Sequence, residues 1–134
     1  MTRAEELAHA AAGFVGAPFR LYGRDAATGL DCVGLIVASL HAIGQTVSDP
    51  KGYSLRNISI ERWLECFERS GFCVTRAAIE PGDVLLTTPG PNQHHLMIAE
   101  RTDTFIHAHA GLRAVVRQPI GNDVTPLMRW RLPS

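Results

Sequence analysis

The chain has 134 residues, 46% of them apolar and 19% charged, which suits one globular domain with one core and excludes a disordered chain. Thirteen basic and thirteen acidic side chains cancel, so net charge supplies no pull toward nucleic acid or an anionic membrane. No window approaches membrane-spanning length, and Arg3, Glu5 and Glu6 precede any apolar stretch, unlike a signal peptide. The expectation is a chain of domain span 1–134, made in the cytoplasm and either kept there or exported without a cleaved signal, with no membrane insertion and no nucleic-acid partner.

Residues 3–15 place Leu7, Ala11, Phe14 and Val15 on one helical face, and Gly16, Ala17 and Pro18 end that helix. Residues 19–31 carry Gly23, Gly29 and several turn formers and read as an irregular loop. A second helix is expected from Cys32 to about Gly44, with Asp31 as its N-cap. Val33, Leu35, Ile36, Val37 and Leu40 surround most of it, so it should be central. Residues 45–58 read as a loop, and residues 59–70 place Ile60, Trp63, Leu64 and Phe67 at helical spacing before Gly71.

The period then changes to two. Residues 72–76 suggest a short strand, and Pro81-Gly82-Asp83 turns into the strand Val84 to Thr87. Residues 94–100, 104–110, 113–119 and 127–132 complete the set. Helices first and a strand meander after them predict an α+β domain, its helices packed on one face of a five- to six-stranded antiparallel sheet.

Three cysteines without CxxC spacing exclude a disulfide framework or a four-cysteine zinc site. Cys66 and Cys73 read as small buried hydrophobes. Cys32 opens a helix, where unpaired N–H groups and the helix dipole favour a thiolate, lower its pKa and can also hold an oxyanion. Taken alone, a Cys at a helix start is more often structural. Four of the six histidines, His94, His95, His107 and His109, fall on two consecutive strands. Alternation puts His107 and His109 on one face and sends His94 and His95 opposite ways, so only one of that pair can face the helices. A catalytic thiol needs an imidazole to take its proton and a third polar group to orient the ring, a place that either His107 or His109 fills.

The run Gly16-Ala17-Pro18-Phe19-Arg20-Leu21-Tyr22-Gly23, followed by Gly29-Leu30-Asp31-Cys32-Val33-Gly34-Leu35-Ile36, resembles the entry to the NlpC/p60 superfamily of cell-wall cysteine peptidases. Pro81-Gly82-Asp83-Val84-Leu85-Leu86, His95-Leu96-Met97-Ile98 and Phe105-Ile106-His107-Ala108 resemble three of its strands, in the same order. The resemblance implies a papain-like fold and hydrolysis of amide bonds in peptidoglycan stem peptides or muropeptides, typically between D-glutamate and a diamino acid. It implies Cys32 as nucleophile, His95 as general base and His107 as orienting residue. Asp31 would cap the helix or meet a substrate amine, and Tyr22 stands near the family's tyrosine at the oxyanion. No metal or other cofactor is implied. Val33, Phe19 and Met97 stand where the family usually has Ser, Tyr and Gly, and the segment between Pro18 and Cys32 is about one residue longer. Compact members with an apolar residue after the Cys resemble peptidases encoded with phage or gene-transfer tails, which implies tail proteins as partners.

Two further readings remain. Cys32 and the histidines supply ligand types that suit zinc, although their spacing is unlike common zinc signatures. The domain could also keep the fold for binding or tail structure without catalysis. Arg113, Arg117, Arg129 and Arg131 alternate on late strands and read as a solvated face, and Trp63 and Trp130 as core or rim aromatics.

Overall fold

The computed structural model of the chain describes residues 1–49, 60–88, 95–119, 121 and 125–133. Helix α1 (Arg3–Ala12) starts at a reciprocal cap. The Thr2 hydroxyl accepts the Glu5 N–H and the Glu5 carboxylate accepts the Thr2 N–H. Leu7 and Ala11 face the core as their spacing predicts. The helix ends at Ala12, short of Val15, because tertiary pairing takes over the next residues. The Gly16 N–H donates to the Val115 carbonyl at 2.9 Å, Val115 N–H to Ala17 at 2.8 Å, and Phe19 N–H to Arg113 at 3.0 Å.

The segment expected to be irregular contains a small hairpin, β1 (Arg24–Asp25) against β2 (Gly29–Leu30). Helix α2 (Cys32–Ala42) follows directly, and Val33, Leu35, Ile36, Val37 and Leu40 are all buried. An apolar surround of that kind is what a central helix requires. Helix α3 (Ile60–Arg69) packs its Phe67 ring 4.5 Å from Trp130 and 5.4 Å from Phe72, centroid to centroid. The Trp63 side chain lies outside the described residues, as does His94.

The sheet comprises β3 (Cys73–Val74), β4 (Val84–Thr87), β5 (His95–Ala99), β6 (Thr104–His109), β7 (Ala114–Pro119) and β8 (Met128–Arg131). Their spatial order is β3-β8-β4-β5-β6-β7, antiparallel throughout. Its helix side carries Val84, Leu86, Leu96, Ile98, Ile106, Ala108 and Val115, packed against α1 and α2. Each valine, leucine and isoleucine among them contributes about 1.5–3 kcal/mol by leaving water. The other side carries a smaller cluster of Leu85, Met97, Ala99 and Phe105, with Ile79 against it.

The Pro-Gly-Asp turn has a structural explanation. Gly82 has φ +91°, and a Cβ there would sit 1.9 Å from the Ala4 carbonyl oxygen, so α1 docks on it only while it is glycine. Asp83 is 0% exposed. Its carboxylate accepts Arg131 Nε at 2.7 Å and Nη2 at 2.9 Å, and the Glu80 N–H at 3.0 Å. Arg129 Nη1 stands 3.8 Å away.

Two expectations therefore need correction. The late arginines are not one solvated face, because Arg129 and Arg131 turn toward the buried Asp83 charge and Arg117 forks onto Glu100 at 2.6 and 2.7 Å. Cys66 is only partly buried and Cys73 is exposed, since Cys73 sits on the short outer strand β3, which pairs with β8 alone.

Candidate active site

The centre of the site is the start of α2. Asp31 caps it with Oδ1, which accepts the Gly34 N–H at 2.7 Å. Its Oδ2 accepts the Tyr22 N–H at 2.8 Å, and Arg24 Nη1 lies 3.2 Å from Oδ1. One carboxylate thus fastens the 19–25 loop to the helix. Gly34 allows that loop to come close, since a Cβ on it would lie 1.9 Å from the Gly23 carbonyl oxygen. The Asp-Cys-x-Gly pattern is therefore a packing requirement as well as a chemical one.

These contacts narrow two expectations. Asp31 is 0% exposed, so in this conformation it acts as the cap and presents no surface to a substrate amine. Tyr22 holds a left-handed backbone, φ +62°, with a half-exposed side chain. Its N–H is committed to Asp31, so any oxyanion contact from Tyr22 would come from its phenol hydroxyl.

Cys32 is 2% exposed. Burial pushes its thiol up to about 12 and the neighbouring Asp31 charge adds to the rise, while the backbone N–H groups of Leu96, Val33 and Cys32 itself oppose it. The expectation that the helix terminus would lower this thiol is overturned, because desolvation outweighs the dipole.

Strands β5 and β6 are paired at Ile98–Ile106 and Ala99–Phe105. Toward the start of β5 the ladder between them has ended. Leu96 and Ile98 face the helices, so alternation puts His95 on the opposite side, with Met97. The candidate base does not sit on the helix side.

His95 Nε2 lies 2.6 Å from His107 Nδ1, and His107 Nε2 lies 2.6 Å from Gln118 Oε1. Burial, with His107 and His109 nearby, lowers His95 to about 4. Burial also lowers His107, against the raising effect of its bond to Gln118. The choice left open between His107 and His109 falls to His107 on contact. His109 instead accepts the Leu112 N–H at its Nδ1, at 3.0 Å. No hydrogen bond joins Cys32 Sγ to the imidazole of His95 among the described residues. Gln118 is a member of the cluster that sequence reasoning missed, because its place depends on strand register.

Among the described residues no group of three or more His, Cys, Asp and Glu side chains is arranged to hold a metal ion, so the zinc reading finds no donor set there. None of their helices is long and apolar enough to cross a membrane.

The NlpC/P60 family model matches residues 16–126. A search of the curated proteins finds no match. Solved structures similar to this chain include NlpC2 from Trichomonas vaginalis, at 15% identity and TM-score 0.73 over 97% of this chain and 46% of that one. The NlpC/p60 domain of the peptidoglycan hydrolase SagA is 20% identical, with TM-score 0.65 over 95% and 97% of the two chains. The P60 domain of an M. avium subspecies paratuberculosis antigen is 18% identical, with TM-score 0.64 over 98% and 95% of the two chains. The chain thus spans about half the length of the Trichomonas protein and nearly all of the two isolated domains. At these identities the likeness is one of fold.

Proposed function

Because the chain belongs to the NlpC/P60 family, whose members are generally cell-wall peptidoglycan hydrolases, we propose that it is a cysteine peptidase cleaving amide bonds in peptidoglycan stem peptides. The observation that supports this reading is the buried Cys32 opening α2 together with the His95–His107 pair, whose ring nitrogens lie 2.6 Å apart at the start of β5.

The resting pair is a neutral thiol and a neutral imidazole, since Cys32 is raised to about 12 and His95 is lowered to about 4. The proton therefore leaves Sγ for His95 as the sulfur–carbon bond forms, which is general-base catalysis rather than a preformed ion pair. The oxyanion is met by N–H groups at the start of α2, that of Cys32 among them. His95 then gives its proton to the leaving amine as the carbon–nitrogen bond breaks, and water hydrolyses the thioester. His107 holds the imidazole throughout. Asp31 serves as a positioning residue, fixing the helix start and the loop that carries Tyr22, whose half-exposed side chain flanks the substrate.

The bond between D-glutamate and a diamino acid is the proposed point of cleavage, on the motif resemblance, and delivery with a phage or gene-transfer tail is the proposed setting. A gene position among tail genes would support that setting, and one in a cell-envelope operon would oppose it. The test of the activity is mass spectrometry of defined muropeptides incubated with wild type and Cys32→Ala. Cleavage by the first and none by the folded second is expected, and full turnover by Cys32→Ala overturns the proposal. A non-catalytic domain of the same fold is the second reading, favoured by the depth of the sulfur. It predicts muropeptide binding by both proteins and cleavage by neither.

A further inference from the structure

His95, His107 and Gln118 form a diagonal row across three strands. The β5–β6 register of Ile98 with Ile106 sets Met97 opposite His107, and the β6–β7 register sets Phe105 opposite Gln118 and His107 opposite Val116. Each member of the row is thus two residues off its directly paired neighbour, on the side of the sheet away from the helices. Diagonal neighbours of this kind stay within reach of long side chains. Both contacts in the row are 2.6 Å.

The chemistry of the last member decides the protons on the other two. An amide oxygen only accepts. With Oε1 of Gln118 facing His107 Nε2, that nitrogen must carry the hydrogen. Neutral His107 then has a bare lone pair at Nδ1, which can only accept, so the hydrogen between the rings belongs to His95 Nε2. Neutral His95 is left with its lone pair at Nδ1. With the amide nitrogen of Gln118 in place of its oxygen, every proton in the row would reverse and His95 Nδ1 would carry a hydrogen. It could not then accept one from a thiol.

We propose that Gln118 is a positioning residue that sets the tautomers of His107 and His95 and so leaves His95 Nδ1 as the basic nitrogen. The inference deepens the peptidase reading and rests on it for its catalytic meaning, while the tautomer assignment itself does not. His107 is buried, with Phe105 5.0 Å and His109 5.4 Å away, ring to ring. His109 is the other titratable group beside it and is engaged by the Leu112 N–H. Water therefore has little access to replace the amide.

Nitrogen-detected NMR of the imidazoles in the full chain, together with muropeptide kinetics, tests this. Wild type should show hydrogen on Nε2 of both His95 and His107. Gln118→Leu should mix or reverse the tautomers. Its kcat should fall by roughly 10-fold, no further than the loss of His107 itself, with KM little changed. Gln118→Glu keeps an acceptor, so it should keep the tautomers, recover most of kcat and move the acid limb of the pH profile upward. Unchanged tautomers and kcat in Gln118→Leu overturn the proposal. Should that variant fail to fold, unchanged titration of both histidines in Gln118→Glu overturns it. Tautomers that respond in a protein without peptidase activity would uphold the assignment and remove the peptidase reading instead.

Discussion

Cys32, buried at the start of α2, and His95, at the start of β5, share no hydrogen bond among the described residues; the His95 ring is held instead by His107, 2.6 Å away.

Thiol reactivity should follow from this burial. Cys73 is exposed, Cys66 partly buried and Cys32 buried. With Cys32 raised to about 12, its thiolate fraction near neutral pH is on the order of 10³-fold below that of an ordinary thiol at ~8.5. Peptide mapping after brief iodoacetamide treatment should show Cys73 labelled first and Cys32 last. Preferential labelling of Cys32 at mildly acidic pH would mean that the thiolate forms without substrate.

His95 and His107 should differ in their cost. His95→Ala removes the proposed base and should lower kcat/KM by at least ~10³-fold. His107→Ala removes the orienting ring, and its loss should be smaller, roughly 10- to 10²-fold, because water can take part of its place. Steady-state kinetics on one muropeptide decides the order. In wild type, kcat/KM should rise with pH through about 4, where His95 becomes neutral.

Stability should fall on the acid side for the same reason. His95 is lowered from 6.5 to about 4 by burial, so between those values the unfolded chain binds a proton that the folded chain does not. Stability is complete above about 6.5 and is lost as pH drops toward 4, with a slope of up to ~1.4 kcal/mol per pH unit. The lowered His107 acts in the same direction. Urea midpoints measured across this window should show a shallower fall in His95→Ala.

Asp83 offers a test confined to the fold. It is fully buried and takes two bonds from Arg131. Asp83→Ala should cost about 3–5 kcal/mol, the usual loss when one partner of a buried pair is removed. The muropeptide turnover of the folded fraction should stay near wild type, since the pair lies away from the cluster around Cys32. Denaturation curves and assays below the melting range separate the two.

Asp31→Ala should lose stability and activity together. The lost N-cap alone costs ~1 kcal/mol, and Arg24 loses its contact with Asp31 while keeping those with Asp49. The freed loop and helix start should lower kcat while the circular dichroism of the fold persists.

Outside the small hairpin in residues 19–31, the type and order of the described elements were legible, because helical and strand periodicity are local properties of the chain. The apolar surround of α2 announced its central place, and Asp31 before Cys32 announced its cap. Boundaries moved next to long-range pairing, as where α1 stops at Ala12 rather than at residue 15 and residues 16–19 bond with 113–115. Cys73 and the late arginines were misread for a related reason. Their surroundings depend on which strand lies at the edge of the sheet and on where Asp83 is buried, and neither is written in neighbouring residues.

By itself the sequence determined the α+β class, the α2 cap and the set of side chains capable of thiol chemistry. These follow from spacing along one chain and from residue type. Tertiary structure alone decided which histidine meets which, that Gln118 completes the row, and that Cys32 is buried, which raises its thiol. Register between strands and the loss of water around a buried group arise only when distant segments pack together.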